Sequence, residues 1–420
     1  MAATPSPRRR KSFTLAGVSD SPTQRRPGFY EFFCGGGMAR AGFGDAWRCL
    51  FANDFDPRKA RAYADNWGAA ELRLADVASL RPIDLPGGAD LAWASFPCQD
   101  LSLAGAGAGL SGARSSAFWG FHALTSALRA QGRAPRLIAL ENVLGLLASK
   151  GGADFSTLCG ALADLGYQFG ALTIDAAHFV PQSRPRLFLV ALADEVAPPN
   201  ELTALGPVAP YAAPALRRAV DALPTPLAAR WLWWRLPPPP RANRTLVDCL
   251  DDAPDDAPWL GASQTDALLA ALSKTSRAEL ERARAAGGRR VAALFRRTRV
   301  DGVRAEARFD GLAGCLRTPA GGSSRQFLLN VEGGTVRARL IGAREAARLM
   351  GLPDSYRLPA RRNEAYHLLG DGVVAPVVRF LSERLLSPLA VAGRSSARLP
   401  EPPSPAVAPG RQRGADVALA

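Results

Sequence analysis

The chain has 420 residues, 47% of them hydrophobic and 21% charged, which is enough for two or three folded domains with an ample core. Its formal net charge is +14, and only +5 and +2 of this lie in residues 1–27 and 391–420. The excess in the body indicates a polyanionic partner, nucleic acid before an anionic membrane. Six scattered cysteines without a C-x-x-C pair, and three histidines, argue against a zinc site or a disulfide framework.

Reduced cysteines indicate a cytoplasmic protein. No apolar stretch is long enough to span a membrane, and residues 1–27 lack the apolar core of a signal peptide. Those residues are rich in Pro, Ser and Arg, and residues 391–420 in Pro, Ala and Arg, so both predict disorder. The N-terminal basic arm either touches phosphates weakly or is an inert solvated tail.

A glycine-rich turn follows the first predicted strand. The apolar run 29–33 enters a Cys-Gly-Gly-Gly turn at 34–37, and a predicted helix covers 38–44. Glycine allows a backbone to approach a ligand closely. The second predicted strand, 47–52, leads to Asp54, about 20 positions after the glycines, where an acidic residue suits the hydroxyls of a ribose. Without a full G-x-G-x-x-G or a Lys-Ser/Thr phosphate cradle, the turn favours an adenosine-containing cofactor with little phosphate over NAD or ATP.

A short predicted strand over 72–77 contains Asp76. Before it, Asp56 as N-cap and Pro57 at the first helical position predict the start of a helix. The Asp76 carboxylate either accepts from an adenine amino group or caps the next turn, which is the commoner role of an aspartate considered alone.

An apolar run over 90–96 stops at Pro97 and is followed by Cys98. This pattern predicts a buried strand with a thiol at its carboxyl end, where open α/β sheets bind ligands. Such a thiol is a nucleophile if its surroundings favour the thiolate, although a buried structural cysteine is the commoner case. The glycine-rich loop 103–116 either closes over a substrate or is a plain connector.

Two further groups of charged residues follow. The strand predicted over 136–140 ends at Glu141, on the same sheet edge as Cys98. Arg184 and Arg186 lie two apart in an extended segment, so both side chains leave one face. Two guanidiniums on one face suit phosphate or carboxylate contact, and surface arginines without a role are the alternative.

Strands and helices alternate from 29 to 192, which predicts a doubly wound, mostly parallel sheet. The pattern changes over 195–262, where Pro, Ala and Asp predict loops and an inserted domain, and the tryptophans of 231–234 are better explained by packing than by base stacking. One helix is predicted over 265–286. Residues 274–308 hold eleven Lys/Arg against four acids, which makes this the strongest candidate in the body for phosphate contact.

The remaining stretches lie towards the C-terminus. The loop 315–326 combines Gly, Ser, Thr and Arg, which suits the reading of base edges, with a hairpin turn as the alternative. A helix is predicted over 339–353, ending at Gly-Leu-Pro. Gly-Asp-Gly-Val at 370–373 precedes a last helix that runs to about residue 386.

In this order, the motifs resemble those of the DNA (cytosine-5) methyltransferases of bacterial restriction–modification systems. The resemblance covers about residues 29–195 and 336–388. The matching motifs are Glu31-Phe-Phe-Cys-Gly-Gly-Gly, Asn53-Asp54, Phe96-Pro97-Cys98-Gln99, Glu141-Asn142-Val143, Gln182-x-Arg184-x-Arg186, Arg339-x-Ile-x-x-Arg344-Glu345-x-x-Arg348-Leu-x-Gly-Leu-Pro and Gly370-Asp-Gly-Val. Two positions depart from the family pattern: Asp371 replaces an asparagine and Gly342 a threonine. Both are expected to tune cofactor contact and packing rather than to abolish chemistry.

The resemblance implies an α/β fold: a Rossmann-like S-adenosylmethionine-dependent methyltransferase sheet with an inserted smaller target recognition domain, and DNA between the two. We therefore expect a catalytic and cofactor-binding domain over 28–195 and a target recognition region over 196–335. The chain is expected to return to the catalytic domain over 336–390, between the basic arm 1–27 and the tail 391–420.

The implied reaction moves a methyl group from S-adenosyl-L-methionine to C5 of cytosine in a specific short sequence of double-stranded DNA. A Cys98 thiolate adds to C6, and the resulting enamine makes C5 nucleophilic. Glu141 stabilises N3, for which it must be partly protonated, as desolvation favours. Arg184 and Arg186 orient the ring through O2 and lower the cysteine pKa. β-Elimination at C5 then releases the enzyme. The target base must leave the duplex stack, at a cost of a few kcal/mol, and the loop 103–116 is the expected closing element.

The resemblance also assigns binding residues, with no metal site. The cofactor positions are Phe33, Gly35, Gly37, Asp54, Asp76, Pro97 and Asp371. The expected DNA contacts are Gln99, Ser102, Arg114, Arg317, Ser323, Ser324 and Arg325. The expected protein is a monomer at the nucleoid in the cytoplasm, without membrane contact, and compatible with a cognate restriction endonuclease that acts separately.

Three other functions fit parts of this sequence. A tRNA cytosine methyltransferase has the same fold, but the large insert between Val190 and Arg337 favours a DNA-reading domain. A DNA-binding regulator on a degenerate scaffold would not need an intact Cys98, Glu141 and paired arginines. A metabolic Rossmann enzyme needs neither Gln-x-Arg-x-Arg nor a basic insert.

Overall fold

A computed structural model of the chain describes residues 26–97, 116–299, 302–319 and 325–396. Several predicted features lie outside the described residues, including most of the basic arm, the loop up to residue 115 and the tail from residue 397. The predicted site residues outside them are Cys98, Gln99, Ser102, Arg114, Ser323 and Ser324.

The larger unit is built on a seven-stranded sheet in the order β3-β2-β1-β4-β5-β7-β6. Its strands are β1 Gly28–Phe32, β2 Arg48–Asp54, β3 Leu72–Leu74, β4 Leu91–Ala94, β5 Leu137–Val143, β6 Tyr167–Asp175 and β7 Pro185–Ala193. The pairs from β3 to β5 are parallel, whereas β7 runs antiparallel to both β5 and β6. This confirms a mostly parallel α/β sheet. The chain order reverses between β1 and β4, and such a switch point opens a ligand crevice at the carboxyl ends of the strands.

The central strands are apolar runs covered on both faces, as parallel sheets require. All residues of β1 and β4 are buried. The helices in this half are α1 Met38–Phe43, α2 Pro57–Trp67, α3 Ser116–Ala130 and α4 Ala153–Asp164. Helix α2 begins as predicted, because Asp56 accepts a hydrogen bond from the backbone N–H of Arg58 and Pro57 takes the first helical position.

The segment after β7 divides differently from the predicted boundary at residue 196. It contains β8 Thr203–Ala204, α5 Pro214–Asp221, α6 Thr225–Ala228 and β9 Trp233–Trp234. These elements pack on the catalytic sheet: the N–H of Thr173 in β6 donates to the carbonyl of Tyr211 at 2.8 Å. Trp231 packs edge-on against Phe155 and Phe169, as expected for tryptophans that serve packing. The first part of the predicted recognition region therefore shares the catalytic core.

A second unit has its own sheet and core. The sheet has the order β11-β10-β12-β13 and is antiparallel throughout. Its elements are α7 Ala262–Ala270, α8 Lys274–Ala285, β10 Arg290–Arg299, β11 Gly302–Arg308, β12 Phe327–Glu332 and β13 Thr335–Leu340. A separate hydrophobic cluster including Leu268, Leu280, Leu294 and Leu329 lies between the helices and the sheet. The inserted smaller domain is thus present, and it begins near residue 260.

The prediction of one helix over 265–286 is wrong, because the chain forms α7 and α8 with a break between them. The N–H of Ser273 donates to the carbonyl of Ala305 at 3.0 Å, and the N–H of Ala305 donates to Ala271 at 2.8 Å. The Ser273 hydroxyl also accepts from the N–H of Ser276 and caps α8. The hydrogen bonds to β11 and the Ser273 cap therefore interrupt the helix, although the residue pattern alone is typical of one continuous helix.

The chain then returns to the catalytic sheet through α9 Ala343–Leu349, α10 Arg362–Asp371, α11 Ala375–Leu381 and α12 Ser387–Ser396. The helix predicted over 339–353 is shorter because its first residues belong to β13. Helix α12 includes the first residues of the predicted tail, and its Arg394 forms an ion pair with Asp90 at 2.6 Å beside the start of β4. No helix in the described part of the chain is long and apolar enough to cross a membrane.

Candidate active site

The carboxyl ends of three neighbouring strands meet at one edge of the large sheet. The N–H of Ser95, just after β4, donates weakly to the carbonyl of Phe32 in β1 at 3.5 Å. The Asn142 side chain in β5 donates to the carbonyl of Phe96 at 3.3 Å. Pro97 follows at once, and Cys98, the next residue of the chain, lies outside the described residues.

A buried carboxyl stands at this edge. Glu141 in β5 is 7% exposed, and its Oε1 lies 3.1 Å from Nε of Arg186. Burial raises the pKa of Glu141 above its ordinary value, although Arg186 and Arg184 oppose the shift. A raised pKa favours the protonated form of this carboxyl, which can donate a proton or a hydrogen bond. The structure thus brings Glu141 and Arg186 together.

Arg184 is buried and braces three parts of the chain. It is 3% exposed, and its two terminal nitrogens donate to the carbonyls of Leu316, Gly370 and Gly372 at 2.7, 2.8 and 2.7 Å. A Cβ at Gly370 would lie 2.5 Å from the carbonyl carbon of Arg317, so this close approach of backbones needs glycine. Arg184 joins the recognition segment to the C-terminal return.

Cys315 lies between the two arginines. Its Sγ is 3.2 Å from Nη1 of Arg184 and 3.7 Å from Nη2 of Arg186. Both arginines therefore reach one point, as their spacing in an extended segment predicted. Sequence reasoning placed Cys315 only at the start of a base-reading loop and missed this contact. The signal available was a lone cysteine, which does not indicate its long-range partners.

The turn after β1 has the form of a cradle. Phe33 has a φ of +56°, a region that residues other than glycine rarely adopt and that is concentrated at functional sites. Gly35 also has a positive φ, and a Cβ built on it would meet no atom within 4 Å. Its N–H donates to Oδ2 of Asp54 at 2.8 Å. Burial raises the pKa of Asp54, whereas Lys59 opposes this. Open space over the turn and a carboxylate beside it fit the ribose and amino-acid parts of an adenosine cofactor.

The other predicted cofactor residues are Pro97, Gly37, Asp76 and Asp371. Pro97 lies at the strand edge described above, and Gly37 has a φ of +74° and begins α1. Asp76 is exposed and accepts from the N–H of Ala78 at 2.9 Å, which is the capping role that the sequence left open. Asp371, at the end of α10, forms an ion pair with Lys59 of α2 at 2.7 Å.

The structure also accounts for Gly342, one of the two positions at which the sequence departs from the motifs that it resembles. The carboxylate of Asp256 accepts from the N–H of Ala343 at 2.7 Å, and a Cβ at Gly342 would lie 2.7 Å from its other oxygen. The Glu345 carboxylate accepts from the N–H of Gly342 at 2.7 Å. Two carboxylates therefore take over the capping of α9, and they leave no room for a side chain at 342.

The predicted DNA contacts that can be described lie in the second unit. Arg317 is exposed, and Arg325 donates to the side chain of Asn363. On the sheet, Arg297 lies directly opposite Arg304 and also forms an ion pair with Glu306 at 3.8 Å. Within the described ranges, no three His, Cys, Asp or Glu side chains come together as a metal site.

Comparison with known proteins places this geometry in a family. The model of the C-5 cytosine-specific DNA methylase family matches residues 28–387. The chain is 25% identical over 369 residues to the Type II methyltransferase M.NlaX of Neisseria lactamica, which covers 86% of this chain and 96% of that protein. It is 23% identical over 359 residues to the Type II methyltransferase M.MspI of a Moraxella species, covering 85% of this chain and 70% of the other.

Solved structures share the fold. The chain aligns with the Dnmt2 methyltransferase of S. pombe at a TM-score of 0.54 and 17% identity, covering 87% of this chain and 99% of that one. It aligns with a putative DNA modification methyltransferase encoded within an E. coli prophage at a TM-score of 0.51 and 16% identity, covering 88% and 99%. At these identities the likeness is one of fold alone.

Proposed function

Because the chain belongs to the C-5 cytosine-specific DNA methylase family, we propose that it methylates C5 of cytosine within a specific short sequence of double-stranded DNA, with S-adenosyl-L-methionine as methyl donor. It is a DNA (cytosine-5) methyltransferase of the restriction–modification type, as the similarity to Type II methyltransferases along most of its length indicates.

The observation that carries this proposal is the buried pair of Glu141 and Arg186, 3.1 Å apart, at the end of β5. It stands beside the segment that leads through Pro97 to Cys98. A carboxyl with a raised pKa and a guanidinium meet at this sheet edge, and Cys98 follows Pro97 in the sequence. Together they are the groups that nucleophilic addition to a pyrimidine needs.

Each group has a distinct part in the proposed reaction. The Cys98 thiolate adds to C6 of the cytosine, and the protonated Glu141 donates to N3, which stabilises the negative charge developing on the ring. C5 of the resulting enamine is then nucleophilic and would form a bond to the methyl group of bound S-adenosyl-L-methionine, whose sulfur would keep the electron pair of the broken S–CH3 bond and leave as S-adenosyl-L-homocysteine. Loss of the C5 proton with elimination of the thiolate restores the aromatic ring and frees the enzyme. Arg186 orients the ring through O2, and Arg184, whose terminal nitrogens are engaged by carbonyls, holds the surrounding backbone.

The turn after β1 would hold the donor. Asp54 would accept from the ribose hydroxyls, and the backbone of 33–37 would approach the amino-acid part closely, since Gly35 leaves open space. The pair of Lys59 and Asp371 lies near Asp54 and adds one charge of each sign. When bound, S-adenosyl-L-methionine supplies an electrophilic methyl group. The chain's part is to place that methyl over C5 and to exclude water.

The second unit would read the DNA. Its sheet and helix carry most of the basic excess of residues 274–308, and Arg317 and Arg325 lie on the segments next to Cys315 and α10. The target base must be flipped out of the duplex to reach the sheet edge. We propose that the enzyme acts as a monomer on nucleoid DNA, with any cognate endonuclease acting separately.

Methylation mapping tests the proposal. The gene would be expressed in a host without cytosine methylation, and converted genomic DNA would be read at base resolution. We expect complete 5-methylcytosine at one short motif, and none in a matched host that expresses Cys98→Ser. A folded protein that binds S-adenosylmethionine but leaves DNA unmethylated would refute the DNA substrate. Methylation of tRNA by that protein would identify the alternative.

A further inference from the structure

The sulfur of Cys315 connects the recognition unit to the catalytic carboxyl. It accepts from Nη1 of Arg184 at 3.2 Å and from Nη2 of Arg186 at 3.7 Å. The Nε of Arg186 lies 3.1 Å from Oε1 of Glu141. An unbroken series of contacts therefore runs from a residue downstream of β11, through one guanidinium, to the group that protonates the cytosine ring in the proposed reaction.

The backbone around Cys315 holds the sulfur in place. The N–H of Ala313 donates to the carbonyl of Pro181 at 2.8 Å, and the N–H of Ser183 donates back to Ala313 at 2.9 Å. The N–H of Leu316 donates to Oε1 of Gln182 at 3.0 Å. Segment 313–316 thus pairs with the residues that precede β7. The position of the Cys315 backbone follows from this pairing.

Two guanidiniums and one carbonyl contact the sulfur, since the carbonyl oxygen of Leu316 lies 3.4 Å from it. Arg184 and Arg186 contact it, and Arg317 lies two residues further along the chain. The nearby acids are Glu141 and Asp371, which act on Arg184 at longer range. Two guanidiniums that converge on one atom repel each other, and this repulsion is weakly screened in a buried site. A negative charge on the atom between them would offset it.

The electrostatics of the cysteines agree with this geometry. Burial alone would raise the pKa of the Cys315 thiol, but Arg184 and Arg186 outweigh burial and lower it below its ordinary value. The other four described cysteines are buried, and burial raises the pKa of each of them. Among the described cysteines, Cys315 is therefore the one whose surroundings favour a thiolate.

We propose that Cys315 is a positioning residue for methyl transfer, whose thiolate holds the guanidiniums of Arg184 and Arg186 and so keeps Arg186 against Glu141. This inference rests on the function proposed above, because the reaction that Cys315 would serve is the proposed methyl transfer. It adds a means by which the recognition unit acts on catalysis. If segment 313–316 moves, the negative charge of Cys315 moves away from Arg186. The sulfur then no longer holds Arg186 beside the carboxyl of Glu141.

The charge state of the sulfur can be measured without any reaction. Thiolates absorb near 240 nm, so the absorbance of Cys98→Ser would be compared with that of Cys98→Ser/Cys315→Ala from pH 6 to 10. We expect one additional thiolate in the protein that retains Cys315, titrating below the pKa of about 8.5 of a free thiol. Titration at or above that value would overturn the proposal, whether or not the chain methylates DNA.

The positioning role is tested by single-turnover methyl transfer. Cys315→Asp retains an anionic acceptor and is expected to stay within about threefold of the wild type, whereas Cys315→Ser and Cys315→Ala should lose about tenfold, the effect of one charge-assisted hydrogen bond. Affinity for S-adenosylmethionine should not change. Cys159→Ala, a buried cysteine outside the site, controls for removing a thiol. Equal rates for Asp, Ser and Ala, or a serine variant as fast as the wild type, would overturn the proposal.

Discussion

Arg184 and Arg186 stand two apart in one motif, and the structure predicts that replacing them has different consequences. Arg184 is 3% exposed, and its guanidinium donates to three backbone carbonyls at 2.7–2.8 Å. Lysine presents a single point of charge and cannot reach all three acceptors. Arg184→Lys should therefore leave one or two buried carbonyls without donors.

The expected loss follows from the number of contacts. A hydrogen bond from a charged group contributes about 1.5–3 kcal/mol, and an unsatisfied buried acceptor costs about 1–3 kcal/mol. Losing two of the three contacts should destabilise the protein by roughly 3 kcal/mol, because such contributions are not fully additive. At about 2–4 °C per kcal/mol for a large domain, the Tm should fall by roughly 6–12 °C.

The matched variant is Arg186→Lys. The Arg186 side chain forms the ion pair with Glu141, donates to the carbonyl of Pro185 at 2.9 Å and has a weak contact with sulfur. Arg186→Lys should lower the Tm by less than Arg184→Lys does, because lysine keeps a positive charge beside Glu141, and it should lose methyl-transfer rate instead. Thermal unfolding followed by circular dichroism, together with single-turnover rates, separates the two effects. A wild-type Tm for Arg184→Lys would refute the assignment of Arg184 as a brace between the recognition segment and the C-terminal return.

Three further predictions concern the buried Glu31, the glycine at position 342 and the ion pair of Lys59 with Asp371. Burial raises the pKa of Glu31 to about 8, so the folded protein holds a proton that the unfolded chain has lost. In urea unfolding, the free energy of unfolding of the wild type relative to Glu31→Gln should therefore fall by up to about 1.4 kcal/mol per pH unit as the pH rises towards 8. A difference that stays constant with pH would contradict this. Gly342→Thr should lower the Tm through its clash with Asp256, and Gly342→Thr/Asp256→Ala should recover part of the loss; no loss in the single variant would exclude the clash. Lys59→Met should weaken S-adenosylmethionine binding in calorimetry while changing stability by at most about 1 kcal/mol, because its pair with Asp371 is partly exposed; unchanged affinity would remove the pair from the cofactor site.

Much of the catalytic half could be predicted because its signals are local. Buried strands read as continuous apolar runs, and the cap of α2 depends on neighbouring residues such as Asp56 and Pro57. The carboxyl ends of strands meet at one edge, so Glu141 could be placed before its partner was known. The spacing of Arg184 and Arg186 was enough to put both on one side of the chain.

Other features had no local signal. The break between α7 and α8 depends on Ser273 pairing with Ala305 of β11. The antiparallel direction of β7 and the packing of residues 203–236 on the catalytic sheet are likewise decided by contacts between distant segments. Helical periodicity and composition do not report such pairings, because they reflect only the average environment of each residue.

The amino-acid sequence by itself determined the order of the motifs, the class of sheet and the chemical groups available for methyl transfer, since each depends on residues close together in the chain. Only the tertiary structure decided how those groups are shared between the two units. Cys315 stands 131 positions from Arg184, and its sulfur reaches that guanidinium because segment 313–316 pairs with the residues before β7. Hydrogen bonds across such distances form only after the chain has closed the loop between them, so no local pattern encodes them.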